Sequence, residues 1–432
     1  MSKRHLLIVS LLAVAVISVT AVAAQQQPRI ANGRVATQDA GASFVQSFKT
    51  LVSAQADVTW IGYSVPVVDG ERTMCCSGSG DVYINGGRGD CCATCRLEAT
   101  ERSSQSSAPP SQPAQPIKLE GPDHMAVLLR VAERQVERIR IFSPDCALDA
   151  GGRNVIWLNG VRPADSITML ESLAQDRARG TRVADGAIAA IALHRDAAAD
   201  ASFDRLLAHT QPTAVRKKVT FWLGNARGAR GLDTLRRVLQ EDPAAEVRKS
   251  AVFAVSQSSE PGAFDMLAGL ARSDVSPAIR SEAVFWIAQK GDTRAAGIVR
   301  EVLEKDSARE VRKKAVFALS QLRDDAGVEA LIQAARTSTD ATIRGEAIFW
   351  LGQKAGKKAS ATITERIEQD PDTDVKKRAV FALSQFPKDE GIPLLIQVAR
   401  TSKNRDVQKQ AMFWLAQSKD PRAVDFFAEI LK

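Results

Sequence analysis

A motif opening on a β-branched residue recurs every 32 residues through the carboxy-terminal two-thirds of the chain: Val215, Val247, Ile279, Val311, Ile343, Val375 and Val407, with Val183 extending the series backwards. Such a period restricts the chain to an architecture in which one supersecondary unit is copied and each copy completes the burial of its neighbour. Counting that residue as position one, position seven is Phe221, Phe253, Phe285, Phe317, Phe349, Phe381 and Phe413. Position eleven is Asn225, then Gln257, Gln289, Gln321, Gln353, Gln385 and Gln417. The first copy has Ala189 and Leu193 at these places, the degeneracy expected of a terminal repeat.

Within a copy, apolar residues recur at intervals of one, three and four, as in Val311, Ala315, Val316, Ala318 and Leu319, which is a helical period. A second helix precedes it. From Gly327 to Ala335 the apolar stripe is narrower and the other face polar, as suits a helix with one side in water. Asp242-Pro243, Ser276-Pro277, Asp370-Pro371 and Asp420-Pro421 punctuate the series, because proline and a capping side chain end one helix and open the next. Each copy therefore reads as a helical hairpin, and residues 164–432 as a mainly α solenoid of eight such hairpins.

The inner helix must pack on its outer partner and on both neighbouring inner helices. Positions one and five to nine, the phenylalanine included, are thus expected in the inter-repeat core, and three, ten and fourteen on an open groove. The glutamines at position eleven are expected to be buried and to bond neighbouring rungs. Position eight alternates between Trp222, Trp286, Trp350 and Trp414 in one set of copies and Ala254, Ala318 and Ala382 in the other. Close packing requires large against small, so the building block is expected to be a 64-residue pair. Position four alternates in charge through Glu282, Lys314, Glu346 and Arg378, which sets opposite charges across successive junctions.

The pattern Asp-x-x-x-x-(Val/Ile)-Arg, seen as Asp242 to Arg248, Asp274 to Arg280 and Asp306 to Arg312 and followed by runs such as Ala-Val-Phe-Ala-Leu, resembles the HEAT-repeat family in its short bacterial, phycobilisome-lyase-like form. Later copies depart from it, with Lys376 and Gln408 in place of the arginine. The resemblance implies a right-handed α-α superhelix in which Arg216, Arg248, Arg280, Arg312 and Arg344 are structural and pair with those aspartates. It says little about activity, since solenoids of this kind host many roles. Deoxyhypusine hydroxylase, an enzyme family of HEAT-like architecture, binds iron through His-Glu motifs; no histidine here precedes a glutamate. His124, His194 and His209 lie on separate segments without ligand spacing and read as surface residues.

The amino-terminal third differs in character. Lys3 and Arg4 precede an apolar run from Leu6 to about Ala23, so residues 1–24 read as an export signal, with an uncleaved amino-terminal anchor as the alternative. Residues 25–98 read as a small Cys-rich β domain with a strand over Trp60 to Val68 and the first arm of a hairpin over Asp81 to Ile84. Cys75, Cys76, Cys91, Cys92 and Cys95 cluster there, and Cys146 stands apart. In an exported chain this pattern reads as disulfides that staple a domain too small to hold itself together. The competing reading is a zinc site at Cys75, Cys76, Cys92 and Cys95, since Cys92 and Cys95 have metal-ligand spacing. A Ser/Pro/Gln-rich linker spans 99–116. Residues 117–163 then read as a short α/β cap, with Val136 to Phe142 and Val155 to Leu158 as paired strands.

These readings lead to a periplasmic or secreted scaffold that binds another protein through the concave face of the solenoid, with no catalysis and no cofactor of its own. The alternative is an enzyme or enzyme subunit of the HEAT-like lyase or oxidoreductase type, its Cys-rich domain holding a metal. Lys217, Lys249, Lys313, Lys377 and Lys409 all occupy position three, and with small residues at position ten they are expected to line the groove for an acidic partner. A formal net charge of +8 spread over 432 residues does not call for nucleic acid, whose binders concentrate charge on one face.

Overall fold

The computed structural model describes residues 27–69, 95–98, 123–144, 147–176, 178, 180–323, 325–354 and 356–431. The export segment, the linker, the hairpin at Asp81 to Ile84 and Cys75, Cys76, Cys91, Cys92 and Cys146 lie outside these residues; Cys95 is described by its backbone alone. The chain divides into two compact units, the second running from Pro163 to the carboxy terminus.

The first unit contains β1 (Ile30–Ala31), β2 (Arg34–Asp39), α1 (Phe44–Ser53), β3 (Thr59–Pro66), β4 (Cys95–Arg96), β5 (His124–Ala132), β6 (Gln135–Phe142), β7 (Leu148–Asp149) and β8 (Asn154–Asn159). Its main sheet has the order β2-β8-β3-β5-β6, and a small one the order β1-β7-β4. Strand β3 is central, antiparallel to β5 and parallel to β8. That position explains its apolar run: Trp60, Ile61, Tyr63 and Val65 are fully buried. Gly62 is needed where Trp157 crosses the strand, since a Cβ there would lie 2.9 Å from the indole. Helix α1 buries Phe44, Phe48 and Val52, one stripe at four-residue spacing, and the Phe44 ring meets Tyr63 at 5.8 Å.

Two expectations are corrected here. Residues 25–98 and 117–163 are not separate domains, because β3 from the first segment pairs along its length with β5 and β8 from the second. Nor does β8 pair with β6. It lies between β2 and β3, while β6 follows β5 through a tight turn at Glu133 and Arg134, both at positive φ. Strand order of this kind is non-local, and periodicity within a strand carries no trace of it.

The second unit is a series of outer and inner helices: α2 (Pro163–Gln175) with α3 (Gly180–Leu193), α4 (Ala197–Leu206) with α5 (Thr213–Ala226), α6 (Gly228–Glu241) with α7 (Ala245–Gln257), and α8 (Gly262–Ser273) with α9 (Pro277–Gln289). Next come α10 (Ala295–Lys305) with α11 (Arg309–Gln321), α12 (Asp325–Thr337) with α13 (Ala341–Lys354), α14 (Lys357–Gln369) with α15 (Thr373–Ser384), and α16 (Lys388–Thr401) with α17 (Arg405–Ser418); α18 (Pro421–Ile430) follows as a further outer helix. These are the eight expected hairpins. Among the described residues no helix is long and apolar enough to cross a membrane.

Two kinds of junction alternate along the stack. Helices α5 and α7, α9 and α11, and α13 and α15 pack more extensively than α7 does on α9 or α11 on α13. Gly224, Ala288 and Gly352 at position ten of the Trp-bearing helices permit the close approach; a Cβ on Gly352 would lie 2.6 Å from the Ala382 Cβ. The same junctions hold buried bidentate ion pairs. Arg216 donates to Asp242 at 2.9 and 3.2 Å, Arg280 to Asp306 at 2.6 and 2.9 Å, and Arg344 to Asp370 at 2.8 Å twice. Burial pushes the Asp306 and Asp370 carboxyls up, but the guanidinium and backbone N–H bonds more than offset it and hold both below the ordinary aspartate range.

Between pairs the link is different. Lys290 Nζ donates to the carbonyls of Ser256 and Ser258 at 2.7 and 2.8 Å, and Lys354 to those of Ser320 and Leu322. Each ammonium thus caps the carbonyl end of the preceding inner helix, where the helix dipole is negative. The arginines of the alternate copies do not make the bidentate pair: Arg248 donates to the Asp242 carbonyl, and Arg312 shares Asp340 with Arg309. The 64-residue block expected from tryptophan and alanine is therefore written in the ion pairs as well.

Deleting residues 279–342 joins an alanine copy to a tryptophan copy, as in the intact chain, and is expected to leave a single cooperative urea transition with a smaller m-value. Deleting 279–310 joins two alanine copies, so the new junction has neither a tryptophan for Phe253 nor a lysine for the Ser256 and Ser258 carbonyls, and is expected to cost about 2–4 kcal/mol more. Gly352→Val overfills the tight junction and is expected to destabilise by about 1–3 kcal/mol in the same assay.

Candidate partner-binding face

The inner helices turn one face away from the outer layer, and position seven lies on it. Phe221 stacks on Phe253, Phe285 on Phe317 and Phe349 on Phe381, with centroids 6.1–6.2 Å apart and planes within 21°. Between pairs a tryptophan completes the contact: Trp286 meets Phe253 at 4.8 Å, Trp350 meets Phe317 at 5.1 Å and Trp414 meets Phe381 at 5.2 Å. Each tryptophan also meets the phenylalanine beside it edge-on. From Trp222 to Phe413 the rings form an unbroken row across seven inner helices.

The phenylalanines were expected in the core, and here the structure differs. Phe221 to Phe381 are half-buried and Phe413 is exposed. The signal was present in the sequence: position seven follows position three by one helical turn, so a wheel that sends the lysines to the groove sends the rings there too. The glutamine expectation is likewise corrected. Gln257 to Gln417 are exposed, and in the alanine copies each amide is held by its own helix: Gln257, Gln321 and Gln385 Nε2 each donate to the preceding serine Oγ at 3.0 Å. The only bond between rungs among the described glutamines is the long one from Gln353 to Gln385, at 3.5 Å.

All five position-three lysines lie on this face, but not equivalently. Lys313 stands 3.8 Å from Glu346 and Lys377 3.2 Å from Asp374, whereas Lys217, Lys249 and Lys409 are exposed and have no carboxylate partner among the described residues. Position four is divided as well. Arg378 pairs with Glu346 at 3.3 Å, as the charge alternation required, but Lys314 lies over the Phe285 and Phe317 rings and Glu282 accepts from Trp286 Nε1. Charge alternation alone could not reveal that an ammonium would choose two ring faces over a carboxylate.

His194 corrects the surface reading of the histidines. It is fully buried where α3 ends, with Nδ1 2.7 Å from the Ala190 carbonyl and Nε2 2.9 Å from Ser166 Oγ on α2. A carbonyl can only accept, so Nδ1 donates and Nε2 accepts from the serine. Burial pushes its pKa down to about 4, which keeps the ring neutral. With no solvent access it ties two helices together rather than serving chemistry. His209 is exposed and His124 half-buried. Among the described residues no group of three or more histidine, cysteine or acidic side chains could hold a metal. The recesses between hairpins are open; one of about 620 Å³ is lined by Thr364, Glu368, Lys376, Gln397 and Lys403 among others.

Hairpins stacked in series with a continuous inner face define an α-solenoid. The family model described as HEAT repeats matches residues 203–282, 270–352 and 360–432, and the chain belongs to that family. The first unit is matched by no family. No curated protein matches the chain. Among solved structures it is similar to human deoxyhypusine hydroxylase in complex with glycerol (17% identity, 62% of this chain and 97% of that one, TM-score 0.26). It is also similar to the CpcE–CpcF complex of phycocyanin lyase from Nostoc (17%, 60% and 96%, TM-score 0.28) and to the karyopherin Kap121p bound to the SUMO protease Ulp1p (12%, 63% and 36%, TM-score 0.40). Likeness of this degree carries nothing about activity or partner.

The depressed pKa of His194 has a consequence for stability. Between about pH 6.5 and 4 the unfolded chain binds a proton at this histidine that the folded chain does not, so the His194 contribution is expected to lower stability by about 3 kcal/mol as the pH falls through that window, with the depressed Asp306 and Asp370 carboxyls taking over below it. Thermal unfolding from pH 7 to 4 reads this, and His194→Gln is expected to flatten that part of the profile.

Proposed function

We propose that the protein is an exported scaffold that holds another protein along the inner face of its solenoid and performs no chemistry of its own. Export rests on Lys3, Arg4 and the apolar run behind them. Partner binding rests on one observation above the rest: a continuous row of half-exposed aromatic rings edged by Lys217, Lys249 and Lys409, cations that no carboxylate of the described residues neutralises. Large rings that keep an open rim supply contact area at low entropic cost, and unpaired ammonium groups favour an acidic segment over a neutral one. A face of this kind binds by area and charge along its length.

Reversing Lys217, Lys249 and Lys409 to glutamate is expected to weaken capture of the partner from the extracytoplasmic fraction at least about tenfold, with the melting temperature nearly unchanged because all three are exposed. Reversing Lys313 and Lys377, already beside acids, is expected to do less. Equal capture by the wild type and the triple variant contradicts the proposal.

A further inference from the structure

The partner's docking segment can be specified further. We propose that the inner face takes an extended, acidic, proline-rich segment in the polyproline II conformation, advancing one three-residue turn per hairpin. This rests on the partner-binding reading above and adds the chemistry and the period of what is bound.

The first support is what the ring row leaves open. Phe253, Phe317 and Phe381 each lie between a stacked phenylalanine on one side and a tilted tryptophan on the other. Lys314 lies over the Phe285 ring and over Phe317 as well. Neighbouring aromatic rings thus occupy two sides of Phe253, Phe317 and Phe381, and the remainder of each ring is half-exposed to solvent. An aromatic rim carries the positive part of the ring quadrupole, so a row of rims flanked by lysines attracts carbonyl oxygens and carboxylates. A nucleobase would need to stack on a ring face, so oligothymidine is the competing probe.

The second support is the amide row. Gln257, Gln321 and Gln385 stand one helical turn beyond the rings, exposed and fixed by the bond to the preceding serine. Each serine is itself tied to the carbonyl of the phenylalanine three residues back, at 2.6–2.7 Å. The amides are therefore pre-aimed and have hydrogen-bonding capacity left over. A polyproline II backbone makes no internal hydrogen bonds, so its carbonyls are free to meet them, and little entropy is lost in straightening it. A helix would arrive with its backbone groups already satisfied.

The third support is spacing. Two packed helices lie about 8–10 Å apart, so a hairpin pair advances roughly 16–20 Å. Two polyproline II turns cover about 19 Å, within that span. Residues on one side of a β-strand recur about every 6.6–6.8 Å, so neither one step nor two matches the advance of about 8–10 Å made by a single hairpin, which one polyproline II turn of about 9 Å does.

The experiment uses the full chain and fluorescence anisotropy with labelled synthetic peptides: eight copies of Glu-Pro-Pro, eight of Glu-Gly-Ser, and six of Glu-Pro-Pro-Pro, with oligothymidine as a further probe. The expected result is that Glu-Pro-Pro binds about tenfold or more tightly than the rest. A Gln257→Ala, Gln321→Ala, Gln385→Ala variant is expected to lose about tenfold in that affinity, with unchanged melting and little change towards Glu-Gly-Ser. Equal binding of Glu-Gly-Ser overturns the proposal and leaves a surface read by charge alone, so the wider reading survives. So does failure of every peptide while the lysine reversal still abolishes capture of the partner. If the peptides fail and the lysine reversal leaves capture unchanged, both readings fall. Oligothymidine binding as tightly as Glu-Pro-Pro overturns the proposal in favour of a nucleic-acid track.

Discussion

One phenylalanine stacking on the next, between inner helices close enough to allow it, is the contact from which the rest of the solenoid follows. Rings 6.1–6.2 Å apart and nearly parallel fix the rotation of both helices and the distance between them. That distance is reached because position eight of one helix is alanine and position ten of the other is glycine or alanine. With the approach set, the tryptophan turns towards the preceding pair, where it closes on the phenylalanine already stacked. Large and small residues thus alternate along the chain because two different gaps alternate along the stack.

Electrostatics follows the same division. The tight junctions exclude water well enough to bury bidentate arginine–aspartate pairs, whose worth lies in the high cost of removing one partner rather than in net stabilisation. The looser junctions use an ammonium on a helix end, a weaker and more adaptable tie. Outer helices repeat the scheme: Arg272 with Glu301 and Arg336 with Glu365 bridge neighbours within pairs. Exposed pairs such as these add specificity of register and little stability.

Much of this was legible beforehand, and the gaps have physical causes. The period, the hairpin and the pairing of copies stood in the sequence because local helical burial and neighbour packing both act at fixed spacing. Spacing sets Phe221 to Phe413 on an apolar arc but does not say how deep they sit, and rings that meet one another in a row stay half-exposed because they bury area on their neighbours. Which position-three lysines have acidic neighbours was only half legible: Asp374 stands three residues before Lys377 on the same helix, a spacing the sequence shows, whereas Glu346 reaches Lys313 from the next inner helix, a matter of side-chain geometry. The sheet of the first unit reads as two segments in the sequence because nothing in β3 signals that its partners stand some sixty and ninety residues away.

The proposed binding face is a by-product of this packing: the same rings that hold the inner helices in pairs line the groove, so a partner docked there would draw on residues that also carry stability. Native-state hydrogen exchange resolved by helix tests the pairing itself. Inner helices α5 and α7, α9 and α11, and α13 and α15 should open two by two, with matched opening free energies within each pair and steps between pairs. A smooth gradient of protection from one hairpin to the next, with no grouping at 64 residues, would contradict it.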